Sequence, residues 1–260
     1  MNSPRTAIPL EQQTVVVTGG ARGLGSHLVR AFLGQGARVV VNHLTSAEAA
    51  QELAAAHPDR ALAVRADVRD ADQVAAMVSA AEEHFGTAVT TVVNNALVDF
   101  SFNGDERPHA DTLTSEHLDR QFSGTVHGAL NTVRAALPGM RAGGFGRIVN
   151  VGTNLFQNPV VPYHDYTAAK AALLSLTRTL AHDLGADGIN VNMVSGGLLR
   201  TTDASSATPD EVFDVIASTT PLRRVVTPAE FADAALYFAS PWSRAVTGQN
   251  LVVDGGLVKN

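Results

Sequence analysis

The chain contains no cysteine, which removes disulfide frameworks, thiolate catalysis and zinc–thiolate sites from consideration. Long hydrophobic runs are missing too. No apolar stretch approaches the ~20 residues of a membrane span, and the opening MNSPRTAIPLEQQ lacks the apolar core of a signal peptide. Basic residues are not in excess: 19 Lys and Arg against 25 Asp and Glu leave a formal charge of −6, which argues against a nucleic-acid surface while allowing local anion binding. No arginine cluster marks a carrier-protein phosphate or a carboxylate substrate. His43, His57, His109, His127 and His164 show no metal-ligand spacing, so no metal site is expected. Internal repeats, low-complexity tracts and proline-rich linkers are also absent. These absences point to a cytoplasmic protein with neither a membrane nor a nucleic-acid partner. Its 45% hydrophobic and 17% charged residues suit a globular chain with a sizeable core.

What is present is an alternation. Short β-branched runs, among them TVVVT (Thr14 to Thr18), RVVVN (Arg38 to Asn42), GRIVNV, INVNMVS and NLVVD, are separated by alanine-rich stretches of helical spacing. Helices are expected near Gly23 to Leu33, Ser46 to Ala56 and Asp72 to His84, with a long one closing near Leu137 and another holding Lys170. Strands that read as continuous apolar runs, each followed by a helix, indicate a parallel sheet covered on both faces. The expected fold is a single-domain, doubly wound α/β (Rossmann) sheet of about seven strands. It would span residues 13–260, after a mobile tail of residues 1–12.

Two stretches break the alternation, Val98 to Ser115 and Leu198 to Arg224, both on the carboxyl edge where open α/β sheets bind ligands. The second carries a helix start, with Thr208 as N-cap, Pro209 first in the helix and Glu211 completing a capping box. That helix, with Val212, Phe213 and Ile216, either covers a substrate or packs as an ordinary surface helix.

Gly19, Gly23 and Gly25 lie between the first strand and the first helix, with three residues and then one between them. Glycine allows the tight turn and lets backbone N–H groups approach a pyrophosphate, whose charge is favoured at a helix N-terminus. The position indicates dinucleotide binding. In YHDYTAAK, Tyr166 and Lys170 are four apart and share a helix face, whereas Tyr163 has Thr167 at the corresponding position. Spacing alone allows a reactive pair or a plain amphipathic surface.

With TGGARGLG (Thr18 to Gly25), ADV (Ala66 to Val68), NNA (Asn94 to Ala96), YTAAK (Tyr166 to Lys170) and VTGQNLVVDGG (Val246 to Gly256) in order, the sequence resembles the short-chain dehydrogenase/reductase family from Thr14 to Gly256. The nearest flavour is the 3-oxoacyl-(acyl carrier protein) reductase-like group. The resemblance implies an NAD(P)(H)-dependent oxidoreductase that passes hydride between a nicotinamide and a carbonyl or secondary alcohol, as a ketone or 3-oxoacyl reductase. By the same resemblance Tyr166 is the proton donor and acceptor, and a neighbouring Lys170 ammonium lowers its pKa. Lys170 also holds the nicotinamide ribose. Thr153, thirteen residues before Tyr166, replaces the family's serine and keeps a hydroxyl. Thr125 stands where many members carry an asparagine that supports a water-mediated relay to the lysine.

The resemblance extends the cofactor site from Gly19, Gly23 and Gly25 to Arg22 and Leu24, to Asp67 and Val68, to Asn94 and Ala96, and to Gly197 and Leu199. Substrate would meet Thr153, Phe156, Tyr163, Leu198 and Phe213, with Phe100 and Phe102 as further apolar candidates. An NAD site usually has a carboxylate at the end of the second strand. Here His43, Leu44, Thr45 and Ser46 follow RVVVN, and the first acid is Glu48. Arg22 can reach a 2′-phosphate, and Thr45 and Ser46 can donate to it, so NADP(H) is preferred and NAD(H) is possible. Two further departures from the family pattern are Leu97 in NNAL and Gly196 in place of proline before Gly197. They keep alive the alternative of a catalytically altered dinucleotide-binding scaffold or sensor, against which both Tyr166 and Lys170 are retained. The helix carrying them is rich in small residues, and the family pairs this region across a two-fold axis, so a homo-oligomer, a tetramer, is expected.

Overall fold

β-branched runs buried on both faces build the centre of the protein, whose computed structural model describes residues 7–98, 100, 107–200, 202, 205, 206 and 208–259. In β1 (Thr14–Val17) and β5 (Gly146–Thr153) every residue is buried, as strands covered on two sides require. With β2 (Arg38–His43), β3 (Ala61–Arg65), β4 (Thr91–Asn94), β6 (Ile189–Gly196) and β7 (Asn250–Val253) they form one seven-stranded sheet in the order β3-β2-β1-β4-β5-β6-β7. Every pairing is parallel. The order reverses between β1 and β4, and an open sheet leaves its ligand crevice at that reversal. This is the doubly wound fold that the alternation predicts.

The pleat sorts β1 between two layers. Val15 and Val17 pack on one side with Leu28, Phe32 and Leu33 of α1 (Gly23–Gly34), Leu53 of α2 (Ala47–Ala55) and Phe231 of α8 (Pro228–Ala239). Val16 packs on the other with Met77 of α3 (Ala71–Phe85), Met140 of α5 (Gly128–Gly143) and Leu184 of α6 (His164–Leu184). Each side chain of this size, fully buried, contributes about 1.5–3 kcal/mol relative to exposure. A polar chain runs along the second face of the sheet, from α5 over β4 and β5 to α6. Thr132 Oγ1 donates to Asn94 Oδ1 at 2.5 Å, Asn94 Nδ2 to Asn150 Oδ1 at 2.8 Å, and Asn150 Nδ2 to Thr177 Oγ1 at 2.8 Å. Among the described residues no helix is long and apolar enough to cross a membrane.

Helices α1, α2 and α3 begin and end within one residue of expectation. The long helix does not close near Leu137. It runs through Pro138 to Gly143 because Val133, Ala136 and Met140 continue one buried stripe across the proline, and Gly144 ends it at φ +62°. The burial outweighs the single backbone bond that proline cannot donate. The expected tail is anchored from Ile8 onward. Gln13, fully buried, donates to the carbonyls of Ile8 and Ala239 at 2.9 Å each and accepts from Thr91 Oγ1 at 2.6 Å. The capping box at Thr208 does not form: α7 (Asp210–Thr219) has Pro209 at its N-cap with no side-chain bond. Arg200 instead holds Asp210 at 2.7 Å. Of the apolar residues expected beneath this helix, Phe213 is buried and Val212 is exposed.

Candidate active site

The glycine turn is braced from both neighbouring strands. Gly19 and Gly23 adopt φ +61° and +52°, left-handed conformations open to glycine at little cost. Asn42, next to last in β2, accepts from Gly19 N through Oδ1 at 3.1 Å and from Gly20 N through its carbonyl at 2.8 Å. Asn95 Nδ2 donates to the carbonyls of Thr18 and Gly19 at 2.9 and 3.2 Å, and the Thr18 hydroxyl accepts from the amides of Asn95 and Ala96 at 2.9 and 3.0 Å. A Cβ on Gly25 would lie 2.0 Å from Gly19 O, so only glycine lets helix and turn close up. Arg22 occupies the N-cap of α1 with no side-chain cap, and the first turn has no acidic residue. Backbone N–H groups thus point out of a positively polarised helix end, which fits a pyrophosphate. Leu24 packs against the core below.

At the other end of this crevice His43 closes β2, buried, with Nδ1 lacking a hydrogen-bond partner. Burial and the neighbouring Arg65 charge lower its pKa. Arg65 is its register partner on β3 and donates from Nε to Leu44 O at 3.2 Å. Thr45 is exposed, Ser46 half-buried at the N-cap of α2, and Arg22 exposed. The first carboxylate beyond β2 is Glu48, inside α2. The His43 imidazole thus lies beside the Arg65 guanidinium, with no acid between residues 43 and 47. Asp67 is held by Arg69 at 2.7 Å, which pulls its carboxyl below the usual range. Val68 is buried, and its carbonyl accepts from Asn131 Nδ2 at 2.9 Å.

The four residues read as catalytic are all buried: Tyr166 6%, Thr153 4%, Lys170 3% and Thr125 5% exposed. Thr153 ends β5 and caps a short 3₁₀ turn, Asn154–Phe156, its hydroxyl accepting from Leu155 N at 3.3 Å. The same hydroxyl is hydrogen-bonded to Tyr166. One turn along α6, Lys170 Nζ donates to Val151 O at 2.7 Å and lies 5.8 Å from the Tyr166 ring centre. Burial pushes Tyr166 up to about 12, against the Thr153 hydrogen bond, and pushes Lys170 down to about 8. The expected lowering of Tyr166 by the ammonium is therefore overturned in the protein alone. Desolvation sets the direction, and Lys170 gives one N–H bond to the Val151 carbonyl. Thr125 lies in a π-helical turn, Ser123–His127, between α4 (Ser115–Phe122) and α5. It shares with Lys170, Asn94, Thr18 and Ala96 a cavity of about 10 Å³, close to the size that holds one water. The Asn94 side chain gives one N–H and one lone pair to the sheet's polar chain and also lines this cavity.

Phe100 stacks on the Tyr166 ring with centroids 4.6 Å apart at 20°, and meets Tyr163 edge-on at 5.3 Å. Arg107 lies 5.8 Å above the Tyr163 ring. Gly197 and Leu198 follow β6, both half-buried, and Leu199 pairs with Val226. Phe213 sits under Arg200 at 4.9 Å. Phe156 instead packs with Ala129, Leu173 and Met193 and lines a separate groove with Leu174 and Arg178. Phe102 lies outside the described residues. The sequence reading missed Asn42, Arg65 and Asn95. NNA contained the last; the first two become visible only through strand register.

Residues 19–258 match the family described as enoyl-(acyl carrier protein) reductase. The chain belongs to the short-chain dehydrogenase/reductase family. Similar proteins include the 3alpha-hydroxysteroid dehydrogenase of Mediterraneibacter gnavus, 33% identical over 95% of this chain and 97% of that one. The 2,3-dihydroxy-2,3-dihydro-p-cumate dehydrogenase of Pseudomonas putida is 33% identical over 97% and 96%. Among solved structures, a short-chain dehydrogenase/reductase SDR:Glucose/ribitol dehydrogenase from Brucella melitensis superposes with a TM-score of 0.85 at 26% identity, covering 99% of this chain and 100% of that one. Short-chain dehydrogenases/reductases use nicotinamide dinucleotides, and the cradle at Gly19 to Gly25 has the shape for one.

Proposed function

We propose that the protein is an NADP(H)-dependent reductase of ketones, with Tyr166 as the proton donor and Thr153 as the group that orients the carbonyl oxygen. The observation that carries this reading is the buried hydroxyl pair Thr153–Tyr166 with Lys170 one helical turn away. The nicotinamide, when bound, supplies or accepts the hydride. The remaining work belongs to the protein. A Tyr166 held at about 12 is fully protonated near neutral pH, so it is ready to donate to a developing alkoxide, a far stronger base than a phenolate. The Thr153 hydroxyl donates to the same oxygen and fixes its approach. Lys170, released from Val151 O, would hold the cofactor ribose, and Thr125 would connect it to solvent through the small cavity. Residues 198–224, carrying α7, would close over the substrate.

The aromatic wall supports a ring-shaped ketone. Phe100 lies flat on Tyr166, where a cyclic substrate would stack, and relatives are named for a hydroxysteroid and a dihydroxydihydro-p-cumate. A 3-oxoacyl substrate is the competing class. Arg22, Arg65 and His43 support NADP(H) over NAD(H) through positive charge and an unpaired donor–acceptor at the end of β2. The reading includes a cytoplasmic homo-oligomer, a tetramer joined through α6. Oxidation of NADPH and NADH with a panel of cyclic ketones, open-chain ketones and 3-oxoacyl thioesters tests it. Turnover of a cyclic ketone at least tenfold better with NADPH is expected. Tight NADPH binding without turnover of any carbonyl or alcohol would instead make the protein a dinucleotide-binding scaffold.

A further inference from the structure

The carboxyl ends of β5, β6 and β7 are in register: Thr153 lies beside Gly196, and Gly196 beside Val253. One residue on, the row reads Asn154, Gly197, Asp254. Neighbouring strands lie about 4.8 Å apart, so side chains on the outer two of three meet only where the middle residue has none. Gly197 provides that gap. A Cβ there would come within 3.1 Å of both Asn154 Nδ2 and Asp254 Cβ. Across it Asn154 Nδ2 donates to Asp254 Oδ2 at 2.9 Å, with both residues buried. Asp254 also accepts from Gly256 N and Leu257 N at 3.0 Å each through Oδ1, and from Val258 N at 2.9 Å through Oδ2. A buried carboxylate with four donors is a fixed point. Asn154, tied to it, is the first residue of the turn that Thr153 caps.

We infer that Asn154 and Asp254 form a positioning clamp for Thr153, closed over Gly197, which holds the Thr153 hydroxyl against Tyr166. Neither residue touches the reacting atoms. If the clamp opens, the Asn154–Phe156 turn shifts and takes the hydroxyl with it, and small misplacements of a reactive group are costly. The clamp also ties residues 256–258 to the active site through a single carboxylate. The inference rests on the roles proposed above for Thr153 and Tyr166.

The decisive variant is Asp254→Asn, which is nearly isosteric. It can keep Oδ1 for Gly256 and Leu257 but presents a donor to both the Asn154 amide and Val258 N, and Asn154→Ala separates the first loss from the second. The expected result is a kcat for ketone reduction lower by roughly 10- to 100-fold, with both KM values within about twofold of wild type. The exchange Asn154→Asp with Asp254→Asn rebuilds the bond with reversed polarity and should recover most of the loss. Asn154→Ala leaves Asp254 its three backbone donors, so it spares the fold and should lower kcat like Asp254→Asn. It carries the test if Asp254→Asn does not fold. Thr153→Val and Tyr166→Phe run alongside. If these two keep full turnover, the reading of the active site is wrong. If they lose it while Asp254→Asn and Asn154→Ala keep wild-type kcat, the clamp is refuted. A kcat loss that the exchange leaves unrepaired, or that follows only the fraction unfolded, refutes it as well.

Discussion

Replacing Lys170 by methionine should stabilise the cofactor-free protein at neutral pH while removing turnover. Burial lowers the Lys170 pKa from 10.5 to about 8. At about 1.4 kcal/mol per unit, keeping the charge at pH 7 costs the folded state about 3 kcal/mol. The folded chain binds fewer protons at this lysine than the unfolded chain between about pH 8 and 10.5, so the penalty fades and stability rises with pH across that window. Methionine has similar length and no charge. It also deletes the 2.7 Å bond to Val151 O, and an unsatisfied buried carbonyl costs about 1–3 kcal/mol. The balance at pH 7 leaves Lys170→Met about 0–2 kcal/mol more stable than wild type. At pH 10, where the charge penalty is below about 1 kcal/mol, the lost bond dominates and the variant becomes the weaker of the two. Urea denaturation of both cofactor-free proteins at the two pH values measures the difference, and titrations common to both cancel. A stability difference independent of pH would refute the reasoning, because Lys170 would then carry its charge without a burial penalty.

Tyr166→Phe should lower turnover on the order of 10²-fold or more. Because Tyr166 is held at about 12, wild-type reduction should stay level through neutral pH while alcohol oxidation climbs toward alkaline pH; an oxidation rate that peaks near pH 7 would exclude Tyr166 as the base. Thr153→Ser should keep activity and Thr153→Val lose it, since valine preserves shape but removes the donor; steady-state kinetics of a fully active Val variant would point to another orienting group. For the cofactor, Arg22→Ala should raise KM for NADPH more than for NADH, and His43→Asp should turn preference toward NADH by repelling a 2′-phosphate. Wild-type protein with equal kcat/KM for the two cofactors would contradict that assignment.

The fold was legible because it is written in short-range pattern. The valine runs and glycine-interrupted helices name their own elements, and parallel order follows from the alternation. Spacing put Tyr166 and Lys170 on one helix face, but their pairing with Thr153 was read from the family resemblance, and the structure buries all three. What escaped depends on neighbours remote in sequence. Arg65 matters because it pairs with His43 across β2 and β3, and Asn42 because it reaches the turn after β1. Asn154 and Asp254 are 100 residues apart and meet only through the register of three strands. The Tyr166 pKa was misjudged for a related reason: proximity to an ammonium shows in the spacing, but the depth at which both groups are buried does not. Pro138 misled because a local rule was outweighed by the buried stripe running past it.

The polar chain along the sheet bears on how the strands find their places. Sliding β4 along β5 by two residues would return every side chain to the same face of the sheet, and Val93 would merely exchange Val149 for another valine, Val151. Asn94 and Asn150 are register partners and bond each other directly. After such a slide Asn94 would face Gly152 and Asn150 would face Val92, at about 1–3 kcal/mol for every polar group left unsatisfied. The two asparagines thus act as the teeth of a ratchet, adding a penalty to near-miss alignments that keep the pleat in phase.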